Sequence, residues 1–112
     1  LAKEKPDMVQ RFVKATLEGW KSYLENPAPG NAVIRQENPK MEEDLIAYSI
    51  KTMKQLKFFD GGDAARLGAG IMTDARWKAT YDLMVSSGQI KPITNWQQAY
   101  TLQFVKDLKV MP

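Results

Sequence analysis

The sequence of 112 residues contains neither cysteine nor histidine. Without cysteine, the chain can form no disulfide and no thiolate metal site. Without histidine, it lacks the commonest general base and the commonest zinc ligand, so Ser-His-Asp and Cys-His catalysis are excluded. We therefore expect a protein that is not an enzyme, and we predict no metal and no cofactor for it. An enzyme that uses Lys, carboxylate or Tyr chemistry is the weakest alternative.

The chain also lacks a strong excess of charge of either sign. Sixteen Lys and Arg residues face thirteen Asp and Glu residues, which gives a formal net charge of +3. Residues 1–56 contain nine basic and eight acidic side chains, and residues 57–112 contain seven and five. No run of basic residues forms a stripe that would follow a phosphate backbone. The charge pattern therefore predicts no nucleic-acid partner.

Apolar residues recur at helical spacing along most of the chain and predict an all-α segment of four to five helices. The first helix is predicted from Pro6 to Asn26, with one apolar face from Val9 to Leu24. The following predictions are a turn at 27–30, a short helix over 31–36, a helix that Asn38-Pro39 begins, a helix between Thr73 and Ser87-Gly88, and a short helix that Asn95 caps. Residues 1–112 are treated as a single helical segment.

A glycine-rich stretch interrupts these helices between residues 58 and 72 and contains four of the seven glycines. No Lys-Ser/Thr pair follows its glycines, and no strand precedes them, so neither a phosphate-binding loop nor a dinucleotide fingerprint is present. Asp60 and Asp63 lack the spacing of a calcium loop. The stretch is therefore predicted to be a structural turn.

Several large side chains have both a structural and a functional interpretation. Trp20, Trp77 and Trp96 could stack on a ring-shaped ligand, but Trp20 and Trp77 lie on apolar helix faces, where core packing is the simpler interpretation. Arg76 falls in the first turn of a predicted helix, where the helix dipole opposes a cation, and an anion-binding role is its alternative. Gly19 stands inside the first helix, which predicts close approach of another backbone.

Three segments, taken in order, resemble the late helical region of one protein family. They are P-x-x-V-x-x-F-x-x-A-x-x-x-G-W over residues 6–20, G-x-M-x-x-x-R-W-x-x-x-Y-D over residues 70–82, and Y-T-x-x-F over residues 100–104. This succession resembles the nitrate, sulfonate, taurine and thiamine-pyrimidine-precursor binding proteins of ABC importers. The resemblance implies the C-terminal helical part of a two-lobed α/β periplasmic binding protein.

The resemblance also implies a function and its partners. The parent protein would capture a small solute, such as a pyrimidine precursor, a sulfonate or a nitrate-like anion, and deliver it to an ABC permease. It would be periplasmic, or extracellular and membrane-anchored. Its candidate ligand contacts are Gly70, Met72, Arg76 and Trp77. The alternative is a stand-alone helical interaction module that forms a homodimer through its apolar helix faces.

Overall fold

The computed structural model describes residues 1–111, and this part of the chain contains helices but no strand. Five α-helices follow one another, and a single 3₁₀ turn at Trp96–Ala99 comes after them. This confirms the prediction of an all-α segment with four to five helices. The α-helices are α1 (Pro6–Glu25), α2 (Ala28–Glu37), α3 (Glu43–Gln55), α4 (Ala64–Leu67) and α5 (Asp74–Ser86).

The two ends of α5 lie where the sequence places them. The Thr73 hydroxyl accepts a hydrogen bond from the backbone N–H of Arg76 at 3.3 Å, as an N-cap does. At the other end, Gly88 has a φ of +75°, and its N–H donates to the carbonyl of Val85 at 3.0 Å. Only glycine adopts this conformation without strain, which explains why the helix ends at Ser87-Gly88.

The predicted boundaries of α2 and α3 are wrong. Helix α2 begins at Ala28, so the residues predicted as a turn over 27–30 form its first helical turn. Pro29 fits there because a proline's missing N–H is not needed in the first turn of a helix. Asn38 ends α2 by donating its backbone N–H to the carbonyl of Ile34 at 2.8 Å. The N-cap of α3 is therefore Glu42 and not Asn38.

The core is thin, and its position on α1 differs from the predicted face. Phe12 is 73% exposed and Trp20 44% exposed, although the periodicity predicts that both are buried. The described chain buries Leu24, which belongs to the predicted face, together with Leu17, which lies at the edge of that face and is not predicted. The buried apolar residues are Leu17, Leu24, Ile46, Ile50, Ala69, Phe104 and Val105.

This face of α1 is buried because the loop before α5 and the C-terminal tail both pack near it. A Cβ atom added to Gly70 would lie 2.6 Å from a δ-methyl group of Leu17. The N–H of Ala69 donates to the carbonyl of Val110 at 2.7 Å, and the Gln10 side chain donates to the carbonyl of Phe104 at 3.1 Å. The stretch over 58–72 that is predicted to be a turn is thus ordered between α1 and the tail, and it contains the short helix α4, which the sequence does not predict.

The helices leave a large surface exposed. The radius of gyration is 17.1 Å, whereas a compact chain of this length has a radius near ~13 Å. The accessible surface is 8657 Å², against about 6,200 Å² for a compact protein of this mass. Among residues 1–111, no helix combines the length and the apolar character that crossing a bilayer requires.

Candidate functional site

Four aromatic rings from α5 and the segment after it form one cluster. The rings of Trp77 and Tyr100 stack with centroids 4.6 Å apart and planes 3° apart. Trp96 stacks on Tyr81 at 5.3 Å and lies 6.4 Å from Tyr100. Tyr81 also fixes the connecting segment, because its hydroxyl lies 2.9 Å from both the N–H and the carbonyl of Ile93. Aromatic pairs of this geometry stabilise by about 0.5–1.5 kcal/mol each.

Trp77 also lines a small cavity beside this cluster, the Trp77 cavity. The indole N–H of Trp77 donates to the sulfur of Met72 at 3.3 Å, which fixes both side chains. The cavity volume is about 190 Å³, and its polar groups come from Thr73, Arg76 and Thr80. Its full lining is Ile71, Met72, Thr73, Arg76, Trp77 and Thr80. An apolar wall with a few polar groups is typical of small-molecule sites.

A wider depression, the Lys57 basin, adjoins the Trp77 cavity and shares Ile71 and Arg76 with it. Its volume is about 840 Å³, and its charged residues are Lys57, Arg76 and Asp63. Neither Lys57 nor Arg76 forms an ion pair with any residue among 1–111. The lining comprises residues 55–59, 61–64, 70, 71 and 76.

The four residues proposed from the sequence thus lie around these two adjoining spaces. Met72, Arg76 and Trp77 line the Trp77 cavity, and Gly70 lines the Lys57 basin. Gly70 has a φ of +76° and packs on Leu17, so its backbone conformation and this contact already require glycine. Trp77 is half-buried and not part of a closed core. Sequence reasoning named Trp96 as a tryptophan that could stack on a ring, but it missed Lys57 and Tyr100, the ring that stacks on Trp77.

The Tyr100 hydroxyl donates a hydrogen bond to the carboxylate of Asp74. This bond raises the pKa of Tyr100 above its ordinary value of 10.0, with smaller contributions from desolvation and from the negative charge of Asp74. The bond joins the segment after the 3₁₀ turn to the first turn of α5. It therefore holds the Tyr100 ring against Trp77.

A second apolar depression, the α1–α2 groove, has a volume of about 480 Å³. Trp20 lines it, and the Tyr23 hydroxyl at its wall donates to the side-chain oxygen of Asn31 at 2.8 Å. Gly19 opens into this groove, and a Cβ there would meet no atom within 4 Å, so the predicted close approach of another backbone is wrong. The groove offers a ligand few free polar groups. Its lining is Ala15, Thr16, Gly19, Trp20, Tyr23, Gly30, Val33 and Ile34.

Metal-ligand side chains do not converge in the described part of the chain. Among residues 1–111, no three acidic side chains lie close enough together to hold an ion. Asp60 and Asp63 are half-buried residues of the turn before α4.

Comparison with known proteins finds a similarity to the riboflavin-binding protein RibY of Chloroflexus aurantiacus. The two sequences are 28% identical over 106 residues, which is 94% of this chain and 30% of RibY. The chain thus spans less than one third of the length of this relative. No protein-family model matches the chain, and no solved structure matches it.

These findings correct the family and the function that the sequence motifs implied. The relative is a riboflavin-binding protein, and no family of nitrate, sulfonate, taurine or thiamine-precursor binding proteins matches. The stand-alone interaction module gains no support either. The motifs misled because most of their residues specify helix packing: the segment over residues 6–20 forms α1, and its Gly19 contacts nothing that would identify a ligand.

Proposed function

We propose that this chain is the ligand-contacting helical segment of a riboflavin-binding protein. The similarity to RibY supports this proposal because it extends over nearly the whole chain and includes α5 and the aromatic residues around it. The single observation on which the proposal depends is the Trp77 cavity beside a stack of four aromatic rings. The function is binding, without a covalent step.

Riboflavin presents a flat, three-ring isoalloxazine with polar edges and a hydroxylated ribityl chain. A flat ring gains most from an aromatic side chain that is already held in place, because little rotamer entropy is lost on binding. Trp77 is held in this way by Tyr100 and Met72. Arg76 and Thr80 stand beside it as partners for the polar edge of the ring, and the Thr73 hydroxyl, which accepts the N-cap hydrogen bond of α5, can still donate its own proton.

The α1–α2 groove is the rival position for a flat ring, and its chemistry is poorer. Trp20 is exposed there, but the Tyr23 hydroxyl is already bonded to Asn31, and no charged residue lines the groove. The groove therefore offers the polar edge of an isoalloxazine no charged partner and few hydrogen-bonding groups. The Trp77 cavity is therefore the better site.

The Trp77 cavity holds only part of a flavin, because complete ligand sites have volumes of about 300–1,000 Å³. The Lys57 basin continues it on one side. Residues outside this chain would supply the opposite wall of the site, since the chain matches only 30% of the length of RibY. The permease and the homodimer that the sequence suggested as partners stay predictions.

The test is a titration in which the full-length gene product is added to riboflavin and the fluorescence of the flavin is measured. Stacking on tryptophan quenches flavin fluorescence, so quenching reports contact with the ring. Trp77→Leu should weaken binding about 5- to 150-fold, since one aromatic stack contributes about 1–3 kcal/mol. Trp77→Phe should recover part of the affinity.

Trp20→Leu is the matched control, because it removes an exposed tryptophan outside the Trp77 cavity. Its affinity should equal that of the unsubstituted protein, and circular dichroism should show the same helix content for all variants. Absence of quenching by the unsubstituted protein would refute the proposed function. Equal binding by Trp77→Leu would refute the site.

A further inference from the structure

Charged side chains line the Lys57 basin, and binding of the isoalloxazine ring of riboflavin does not require them. Two cationic side chains, Lys57 and Arg76, line it together with one carboxylate, Asp63. Neither cation is neutralised by an ion pair within residues 1–111. Arg76 also stands in the first turn of α5, where the positive end of the helix dipole disfavours a cation and favours an anion.

The backbone at Lys57 is a second and independent observation. Lys57 has a φ of +50°, the left-handed conformation that glycine usually supplies after a helix. Helix α3 ends there as α5 does: the N–H of Phe58 donates to the carbonyl of Met53 at 2.9 Å. Glycine occupies the equivalent position after α5, at Gly88. A lysine is thus held in strained backbone at the wall of the basin, and such strain concentrates at functional sites.

Arg76 connects the two spaces because it lines both of them. A flavin whose ring rests on Trp77 would extend its ribityl chain past Arg76 into the basin. We infer that the Lys57 basin binds a phosphate at the end of that chain, so that the site prefers a flavin phosphate to riboflavin itself. This inference rests on the proposed function.

Phosphate is the matching group because it forms charge-assisted hydrogen bonds with both cations. Arginine offers a planar fork to two phosphate oxygens, and lysine offers a point charge. Such bonds are stronger than those between neutral groups, most of all when they are shielded from water. Because both side chains are exposed here, we expect about tenfold tighter binding of the phosphate form.

The experiment compares quenching of riboflavin 5′-phosphate and of riboflavin by the full gene product at low and high salt. The phosphate form should bind about tenfold more tightly at low salt, and the difference should shrink as salt screens the charges. Lys57→Gln should bring the two affinities within about twofold of each other. Lys54→Gln is the matched control, since Lys54 is an exposed lysine of α3 that does not line the basin.

The outcomes separate this inference from the proposed function. Tighter, salt-dependent binding of the phosphate form that Lys57→Gln abolishes supports the inference. Equal binding of both flavins overturns the inference and leaves the riboflavin proposal standing. Quenching of neither flavin overturns the proposed function and the inference with it. A preference for phosphate that survives Lys57→Gln places the phosphate elsewhere and also overturns the inference.

Discussion

Replacing Lys57 by glycine should stabilise the fold, against the usual effect of removing a side chain. Lys57 occupies the position after α3 at which its φ of +50° disfavours any residue with a Cβ atom. Its N–H donates to the carbonyl of Lys54 at 3.2 Å, and these bonds keep the conformation in place. The strain is therefore part of the native state and absent from the unfolded chain.

The magnitude follows from two opposing effects. Left-handed backbone costs an L-residue about 1–2 kcal/mol, and glycine removes that cost. Glycine also gives the unfolded chain more freedom, which destabilises the fold by about 0.5–1 kcal/mol. The net gain for Lys57→Gly is therefore about 0.5–1 kcal/mol, or roughly 2–5 °C in Tm for a chain of this size.

Thermal and urea unfolding followed by circular dichroism measure this gain. Lys57→Ala removes the same side chain but keeps the strain, so it should show no gain. Gly88→Ala tests the same motif in reverse, because an added methyl group there meets no atom within 4 Å and only the φ of +75° opposes it. It should cost about 1 kcal/mol. A Lys57→Gly variant no more stable than Lys57→Ala would refute the reasoning.

Two further predictions concern the loop before α5 and the aromatic cluster. Gly68→Ala should destabilise the fold more than Gly70→Ala in urea unfolding. The methyl group at residue 68 would lie 2.5 Å from the Lys109 backbone, whereas the methyl group at residue 70 would meet the Leu17 side chain, which can move. Equal losses of stability would contradict this packing. Tyr100 should ionise at higher pH than it does in Asp74→Asn, measured by phenolate absorbance. Since the folded pKa is raised above 10.0, the stability from this bond is complete below that pH and is lost as pH rises through the folded pKa; a Tyr100 midpoint unchanged by Asp74→Asn would refute the hydrogen bond.

The sequence identifies helices well where local chemistry determines their ends. Thr73 caps α5 through a hydrogen bond between residues three apart, and Gly88 ends it through its own φ. The start of α2 is harder to predict, because Pro29 suits a turn and a first helical turn equally well. The choice depends on contacts from elsewhere, such as the Tyr23 ring packed against Gly30.

The buried face of α1 depends on distant partners and is therefore absent from local periodicity. Phe12 and Trp20 fit the same helical stripe as Leu24, and the hydrophobic pattern treats them alike. The loop at Gly70 packs on Leu17, which is about half of the chain away in sequence, and this contact determines which side of α1 is buried. Amphipathic spacing predicts that a helix has a buried side, and tertiary contacts determine which side it is.

Only part of the candidate site could be predicted from the sequence, because some of its residues come from distant parts of the chain. Arg76 and Trp77 are neighbours in the sequence, and their place at the start of a helix indicates a site. Tyr100 reaches Trp77 from 23 residues away, and Lys57 reaches the same region from before α4. The only local signal for Lys57 is a lysine at a helix end where glycine is usual.

The most direct measurement is a ¹H–¹⁵N spectrum of the full-length gene product during titration with riboflavin. The three tryptophans of this chain give three indole N–H signals, which report on the Trp77 cavity, the neighbouring ring of Trp96 and the α1–α2 groove at once. The account predicts that the Trp77 signal moves most, the Trp96 signal less and the Trp20 signal not at all. Three unmoved signals at saturating riboflavin, or a largest shift at Trp20, would contradict it.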